Sequence, residues 1–247
     1  MDRLIYTAMT GAKHTMEQQA TTSNNLANAT TTGFRAQLDA FRSVPLTGDG
    51  GLPTRSFVVD ATVGADFTPG PIQQTGRDLD VAVQGSGWLA LQTDDGSEAY
   101  TRNGALTVSQ NGILQTQNGV AVAGQNGPIS IPPNMAVTIG ADGTVSTTDH
   151  TTVPAQTSII GQLKLVNPPT QNLVRGDDGL FRTKDASAVD ADPNVIVAGG
   201  ALEGSNVNVI DSMVNMISLS RQFDLHMSML KTAETNETSA EQILSIT

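Results

Sequence analysis

Apolar residues recur with a helical period at both ends of the chain and with a strand-like period in the middle. From Met1 to about Thr32, Ile5, Met9, Ala12 and Met16 follow spacings of 4, 3 and 4, and Ala20, Ser23 and Ala27 extend the stripe. This predicts an N-terminal helix with a narrow seam of small residues, with Gly33 as its C-cap. From about Asn206 to Thr247, Val209, Met213, Met216, Ser220, Phe223, Met227 and Leu230 alternate spacings of 4 and 3. That is a heptad seam, and Ser205 or Asn206 would cap its helix. The first stretch is crowded with Thr and Asn, which are mediocre helix formers. Both ends are therefore expected to be weakly ordered alone and to gain order against partner helices.

The middle, about Gly76 to Gly204, carries turn signals instead. Asn103-Gly104, Asn111-Gly112, Asn118-Gly119 and Asn126-Gly127 recur every seven or eight residues, joined by Asp95-Gly96, Asp142-Gly143 and Asp178-Gly179. Between them lie short β-prone runs at Asp80–Val83, Trp88–Gln92, Leu106–Val108, Ile113–Gln115, Val120–Ala123, Val137–Ile139, Ile159–Val166 and Val195–Ala198. Such dipeptides between such runs predict hairpins, and the zone reads as an antiparallel β barrel or sandwich. Phe34 to Thr75, with four prolines and Gly48-Asp49-Gly50-Gly51, reads as an extended connector. The expected fold is α+β: residues 1–33 with 206–247 form a helical, coiled-coil-like assembly domain, 34–75 a connector, and 76–205 an inserted β-rich outer domain.

Composition narrows the function. The net charge of −11 opposes nucleic-acid binding, which needs Lys and Arg against phosphate. Only 4% of residues are aromatic, so no large aromatic core is expected, and Trp88 is assigned to the β core. There is no cysteine, which excludes disulfides and thiolate metal sites and suits a chain that crosses a membrane unfolded. The first residues lack a basic segment followed by an apolar run, so no cleaved signal peptide is expected. No stretch approaches the ~20 apolar residues of a membrane-spanning helix.

Chemistry-bearing patterns are sparse. His14, His150 and His226 lie far apart and lack ligand spacing. Gly85-Ser86-Gly87 is not followed by a third glycine or a helix, so it is no phosphate cradle. Asp94-Asp95 and Asp177-Asp178 precede glycine and read as turns. No catalytic group, cofactor, metal or small-molecule substrate is expected.

Three blocks carry a resemblance. Ser23-Asn24-Asn25-Leu26-Ala27-Asn28 through Gly33-Phe34-Arg35 is the first, with Arg35 where lysine is usual. Gly87-Trp88-Leu89 through Tyr100-Thr101-Arg102-Asn103-Gly104 is the second. Leu202-Glu203-Gly204-Ser205-Asn206-Val207, then Arg221-Gln222-Phe223-Asp224, is the third, with Asp224 where glutamate is usual. In this order they resemble the axial proteins of the bacterial flagellum, its rod and hook. The opening Met1-Asp2-Arg3-Leu4-Ile5-Tyr6 looks most like the proximal rod members, with the distal rod as the alternative.

The resemblance implies a structural subunit of the basal-body rod in the periplasm, exported by the flagellar type III apparatus. It would pack into a helical, torque-transmitting tube with copies of itself and with other proximal and distal rod subunits. The expected assembly interface comprises Ile5, Met9, Met16, Asn24, Asn25, Leu26, Asn28, Gly33, Phe34, Ser205, Asn206, Val209, Met213, Met216, Ile217, Arg221, Phe223, Met227 and Leu230. Arg221 and Asp224 read either as a solvated face or as an intersubunit ion pair. A periplasmic glycan-binding β module with helical oligomerisation ends is the rival class.

Overall fold

The computed structural model describes residues 4–45, 56–133, 135–149 and 156–244. It divides into two compact units, one of residues 1–29, 36–66 and 207–247, the other of residues 30–35 and 67–206. The chain is α+β, with a helix near each end and an antiparallel β-rich middle.

The first unit holds α1 (Leu4–Ala27), β1 (Gln37–Pro45), β2 (Ser56–Ala65) and, at the other end of the chain, α2 (Val209–Leu244). α1 stops at Ala27, short of Thr32. The asparagines explain the stop: the Asn28 amide side chain donates to the Asn24 carbonyl at 2.9 Å, and Ala29 N–H turns back to Leu26 at 3.2 Å. Gly33 is thus not the helix cap. The cap of α2 is Asn208, not Ser205 or Asn206: its Oδ1 accepts the Ile210 N–H at 3.0 Å. Residues expected to form an extended connector instead build β1 and β2, an antiparallel pair with a bulge at Ala40/Phe41. The pair packs on α1, where His14 meets Phe41 edge-on at 5.3 Å.

The second unit contains the remaining strands. In chain order they are β3 (Ile72–Gln74), β4 (Val81–Gln84), β5 (Trp88–Gln92), β6 (Glu98–Thr101), β7 (Leu106–Val108), β8 (Leu114–Thr116), β9 (Ala121–Gly124), β10 (Gly127–Pro128) and β11 (Ala136–Ile139). They continue with β12 (Thr144–Asp149), β13 (Gln156–Gln162), β14 (Leu165–Val166), β15 (Leu173–Arg175), β16 (Phe181–Thr183), β17 (Ile196–Gly199) and β18 (Ala201–Glu203). Nine of them form one sheet, ordered β15-β16-β6-β5-β9-β8-β7 with β10 on β9 and β14 on β5. β11-β12-β13 form a second sheet, and β17-β4 and β18-β3 are separate pairs. The large sheet ends at β15 and β7 without joining them, so of the expected barrel or sandwich the closed barrel is not formed; strands of two to five residues are too short to carry the continuous stagger that closure demands.

The core is aliphatic. Leu89 and Leu91 of β5 pack with Leu106, Leu114, Val122, Val137, Val145, Leu163 and Val197, which joins both sheets and the β17-β4 pair in one cluster. The opposite side of β5 turns Trp88 into a smaller group with Phe181 at 4.7 Å and Phe67 at 6.0 Å. Among the described residues, six of the seven Asn-Gly and Asp-Gly pairs place their glycine at positive φ, as hairpin turns require. Gly104 is the exception. A Cβ there would lie 1.7 Å from the Val81 carbonyl oxygen, so close backbone approach demands the glycine.

The β5–β6 turn is built on Asp95. Its Oδ1 accepts from the Thr93 and Ser97 hydroxyls at 2.5 and 2.8 Å and from the Ser97 N–H at 3.1 Å. These bonds hold its carboxyl down at about 2. A lowered folded-state value stabilises the turn above the ordinary carboxylate range, and that contribution fades as pH falls from about 4 towards about 2. An NMR titration of the Asp95 side chain is expected to give that low midpoint, and Asp95→Asn to remove the turn's acid dependence. An Asp95 midpoint near the ordinary value would contradict this.

Candidate assembly interface

α1 and α2 run antiparallel. The residue facing Gly11 is His226, whose Cε1 would lie 2.6 Å from a Cβ added at Gly11, and Gln18, Thr21, Thr22 and Asn25 line a groove with Ser212, Asn215 and Leu219. Inside the subunit, α1 offers Ala8, Ala12 and Thr15, all buried, then Gln19, Thr22 and Leu26. α2 answers with Ser212, Met216, Leu219, Phe223, His226, Leu230 and Ala233, all partly covered. Both stripes keep spacings of 4 and 3, with small residues on α1 admitting larger ones from α2.

The expected seam is only partly this one. Met216, Phe223 and Leu230 lie on it, and Ile5 and Leu26 are partly buried. Met9 and Met16 are each 57% exposed, and Val209, Met213 and Met227 also face solvent. The seam is rotated from the expected one because the backbones approach where side chains are smallest, at Ala8, Gly11 and Ala12, rather than where they are most apolar. The large residues passed over remain outside. On α2 they are joined by Ile210, Val214 and Ile217, at 73%, 59% and 57% exposure, which lie opposite the covered stripe. Apolar side chains thus occupy two faces of α2, while the subunit covers one.

Polar members of the expected interface have partners within the chain. Asn25 clamps the start of β1: its Nδ2 donates to the Gln37 carbonyl at 2.9 Å and its Oδ1 accepts the Gln37 N–H at 2.8 Å. Asn24 is exposed, and so are Arg221 and Asp224, with no ion pair between them among the described residues.

In the second unit, Gly33, Phe34, Ser205 and Asn206 surround a buried charge cluster. Glu203, 1% exposed, receives Arg35 (1%) on Oε1 at 2.8 Å and Arg102 (4%) on Oε2 at 2.9 Å. Its Oε1 also accepts the Gly70 N–H at 2.9 Å, and its carbonyl the Gly33 N–H at 2.8 Å. Arg102 donates further to the Val83 and Gly85 carbonyls and lies 5.4 Å from the Trp88 ring centre. Burial pulls its guanidinium below the ordinary range, Glu203 opposes that, and Arg35 adds to it. Phe34 is buried under Arg175, 4.5 Å from its ring, and the Asn206 side chain donates to the Thr68 carbonyl at 3.1 Å. Each of the three sequence blocks therefore places one charge in this cluster. The sequence signalled the residues, but nothing in it signalled their convergence.

Comparison with known proteins matches those blocks. The family model described as flagella basal body rod protein covers residues 5–35. The flagellar hook protein FlgE/F/G D1 domain covers 82–147, and the flagellar basal body rod FlgEFG protein C-terminal covers 198–243. The flagellar basal-body rod protein FlgF of Escherichia coli K12 is 46% identical over 252 residues, spanning all of both chains. This chain belongs to the FlgF family of flagellar basal-body rod proteins. The FlgF of Caulobacter vibrioides is 32% identical over 98% of each chain. A FlgG of Buchnera aphidicola, from strain Sg, is 31% identical over 86% of this chain and 88% of its own. The FlgF relatives at 46% identity thus stand nearer than this FlgG, and the first two positions of the buried cluster, Arg35 and Arg102, fall in different matched segments from Glu203.

Proposed function

We propose that this chain is a structural subunit of the flagellar basal-body rod, seated in its proximal part. Its terminal helices pair in coiled-coil fashion, and the pairs stack against copies of the chain and against neighbouring rod subunits to form the wall of a tube that crosses the periplasm and transmits torque. FlgF relatives at 46% identity over the full length support the rod assignment, and the resemblance of the opening residues 1–6 to proximal rod members supports the proximal place. The 4-3 spacing of both stripes supports the coiled-coil pairing. The absence of cysteine suits export in an unfolded state through the flagellar type III apparatus.

One observation carries the assembly reading: the uncovered apolar face of α2 at Ile210, Val214 and Ile217, with Met213 and Met227 at its flank. Such a face on a helix whose other side is already packed is what a neighbouring subunit would cover. Head-to-tail contacts that do not close into a ring yield a helical tube, and turning that tube must shear close-packed side chains, which resists twist.

Ile217→Asp tests this. It places a charge where a neighbour would bury it and leaves the α1–α2 seam untouched. Purified protein is expected to stay soluble with an unchanged unfolding midpoint. Swimming on soft agar should be lost, and the chain should be missing from isolated basal bodies. Normal incorporation of Ile217→Asp would refute the assigned face.

A further inference from the structure

We propose that Glu203 is a closing latch: the β-rich unit completes its fold only when the Ala201–Glu203 strand seats, and the chain stays open until then. Arg35 and Arg102 both end in the interior, and Glu203 is the only carboxylate within ion-pair distance of either among the described residues. Without it, two guanidiniums of like charge would share a dry site. An uncompensated charge in such a place is strongly unfavourable, whereas both arginines are well solvated in an open chain. Several of their buried nitrogens, Arg35 Nε and Arg102 Nε among them, make no hydrogen bond even in the closed state, so the carboxylate is what holds them inside.

The latch also comes last along the chain. Arg102 precedes Glu203 by 101 residues, and Gly70, whose N–H binds the same carboxylate, by 133. The two final strands complete the two earliest ones: β17 pairs with β4, and β18 with β3. The three stretches by which the chain enters or leaves the unit are tied at one place. Gly33 N–H binds the Glu203 carbonyl, and the Thr68 carbonyl accepts from both Arg35 and Asn206. Contacts of such long sequence separation carry a large closure entropy and form late. A chain delivered N-terminus first would hold two mutually repelling arginines until its third motif arrived, so the unit could not lock prematurely.

The test is the folding and unfolding kinetics of the full chain in urea, read through Trp88. It is the single tryptophan, and it lies beside Arg102. For Glu203→Gln the unfolding rate constant is expected to rise roughly 10²- to 10³-fold, with the folding rate constant changed less than about threefold, because the ion pairs form after the rate-limiting step. Should Glu203→Gln have no folded baseline, Glu203→Asp keeps the charge, shortens its reach and should show the same partition with a smaller rise. The proposal is overturned if the loss falls on the folding rate constant instead, or if both rate constants stay within about twofold of the parent.

Discussion

Gly33→Ala is expected to destabilise the β-rich unit by about 3 kcal/mol or more. Gly33 has φ of +68°, where an L side chain is strained by roughly 1–2 kcal/mol. A Cβ there would also lie 2.3 Å from the Asn103 nitrogen and 2.4 Å from the Arg102 carbonyl carbon. Both atoms are backbone and cannot swing aside. Relief would require moving the segment that follows β6, which carries Arg102, and with it the pairing to Glu203. Gly76→Ala supplies the control: its φ is +71°, but a Cβ there meets nothing within 4 Å. That variant should lose only the strain, about 1 kcal/mol. Urea unfolding read by Trp88 fluorescence separates the two. Equal losses at Gly33 and Gly76 would mean that the junction is not tightly packed.

This contrast also shows what could be read from sequence. Gly33 was legible as a glycine-requiring position because it follows an asparagine-rich helix end. Its assignment as a helix cap failed because the constraint comes from residues 102 and 103, some seventy positions away, and helical periodicity carries no such information. The strands β5 and β7 matched their expected limits, since apolar β-prone runs bounded by turn dipeptides are a local signal. β12, reading Thr-Val-Ser-Thr-Thr-Asp, escaped notice because it is mostly polar. Its Thr147 is buried with a hydroxyl that has no hydrogen-bond partner, so its place in the sheet is imposed by neighbours on both sides. The hairpin β1-β2 was hidden by the Pro- and Gly-rich composition around it.

The helical ends teach a related lesson. The stripes drawn through the apolar residues included Ala12, Met216, Phe223 and Leu230, which lie on the seam inside the subunit, but also Met9, Met16, Met213 and Met227, which do not. The subunit packs through Ala8, Thr15, Ser212, Leu219 and His226 in their place, because distance between helix axes is set by the smallest side chains. A helix that must satisfy a partner within its own chain and further ones outside it carries two overlapping stripes. Sequence periodicity alone cannot rank them.

Gly11 is where that ranking is decided, and Gly11→Leu should abolish rod assembly. The His226 ring fills the space above Gly11, with its nearest atom 2.6 Å from where a Cβ would sit. An isobutyl group there forces the helices apart or turns the imidazole out of the seam. Either response costs about 2 kcal/mol, roughly thirtyfold in the pairing equilibrium, even after leucine's better helix propensity is counted. Adding His226→Ala should restore most of the loss, since the new side chain then occupies the vacated volume. The histidine contributes little else, because its buried Nδ1 has no hydrogen-bond partner to lose. The expected pattern is therefore non-additive: Gly11→Leu non-motile and absent from basal bodies, His226→Ala mildly impaired, and the double variant swimming better than Gly11→Leu. If the double variant is as defective as Gly11→Leu, the ring does not set the helix spacing, and the small-residue face of α1 must serve a neighbouring subunit rather than α2.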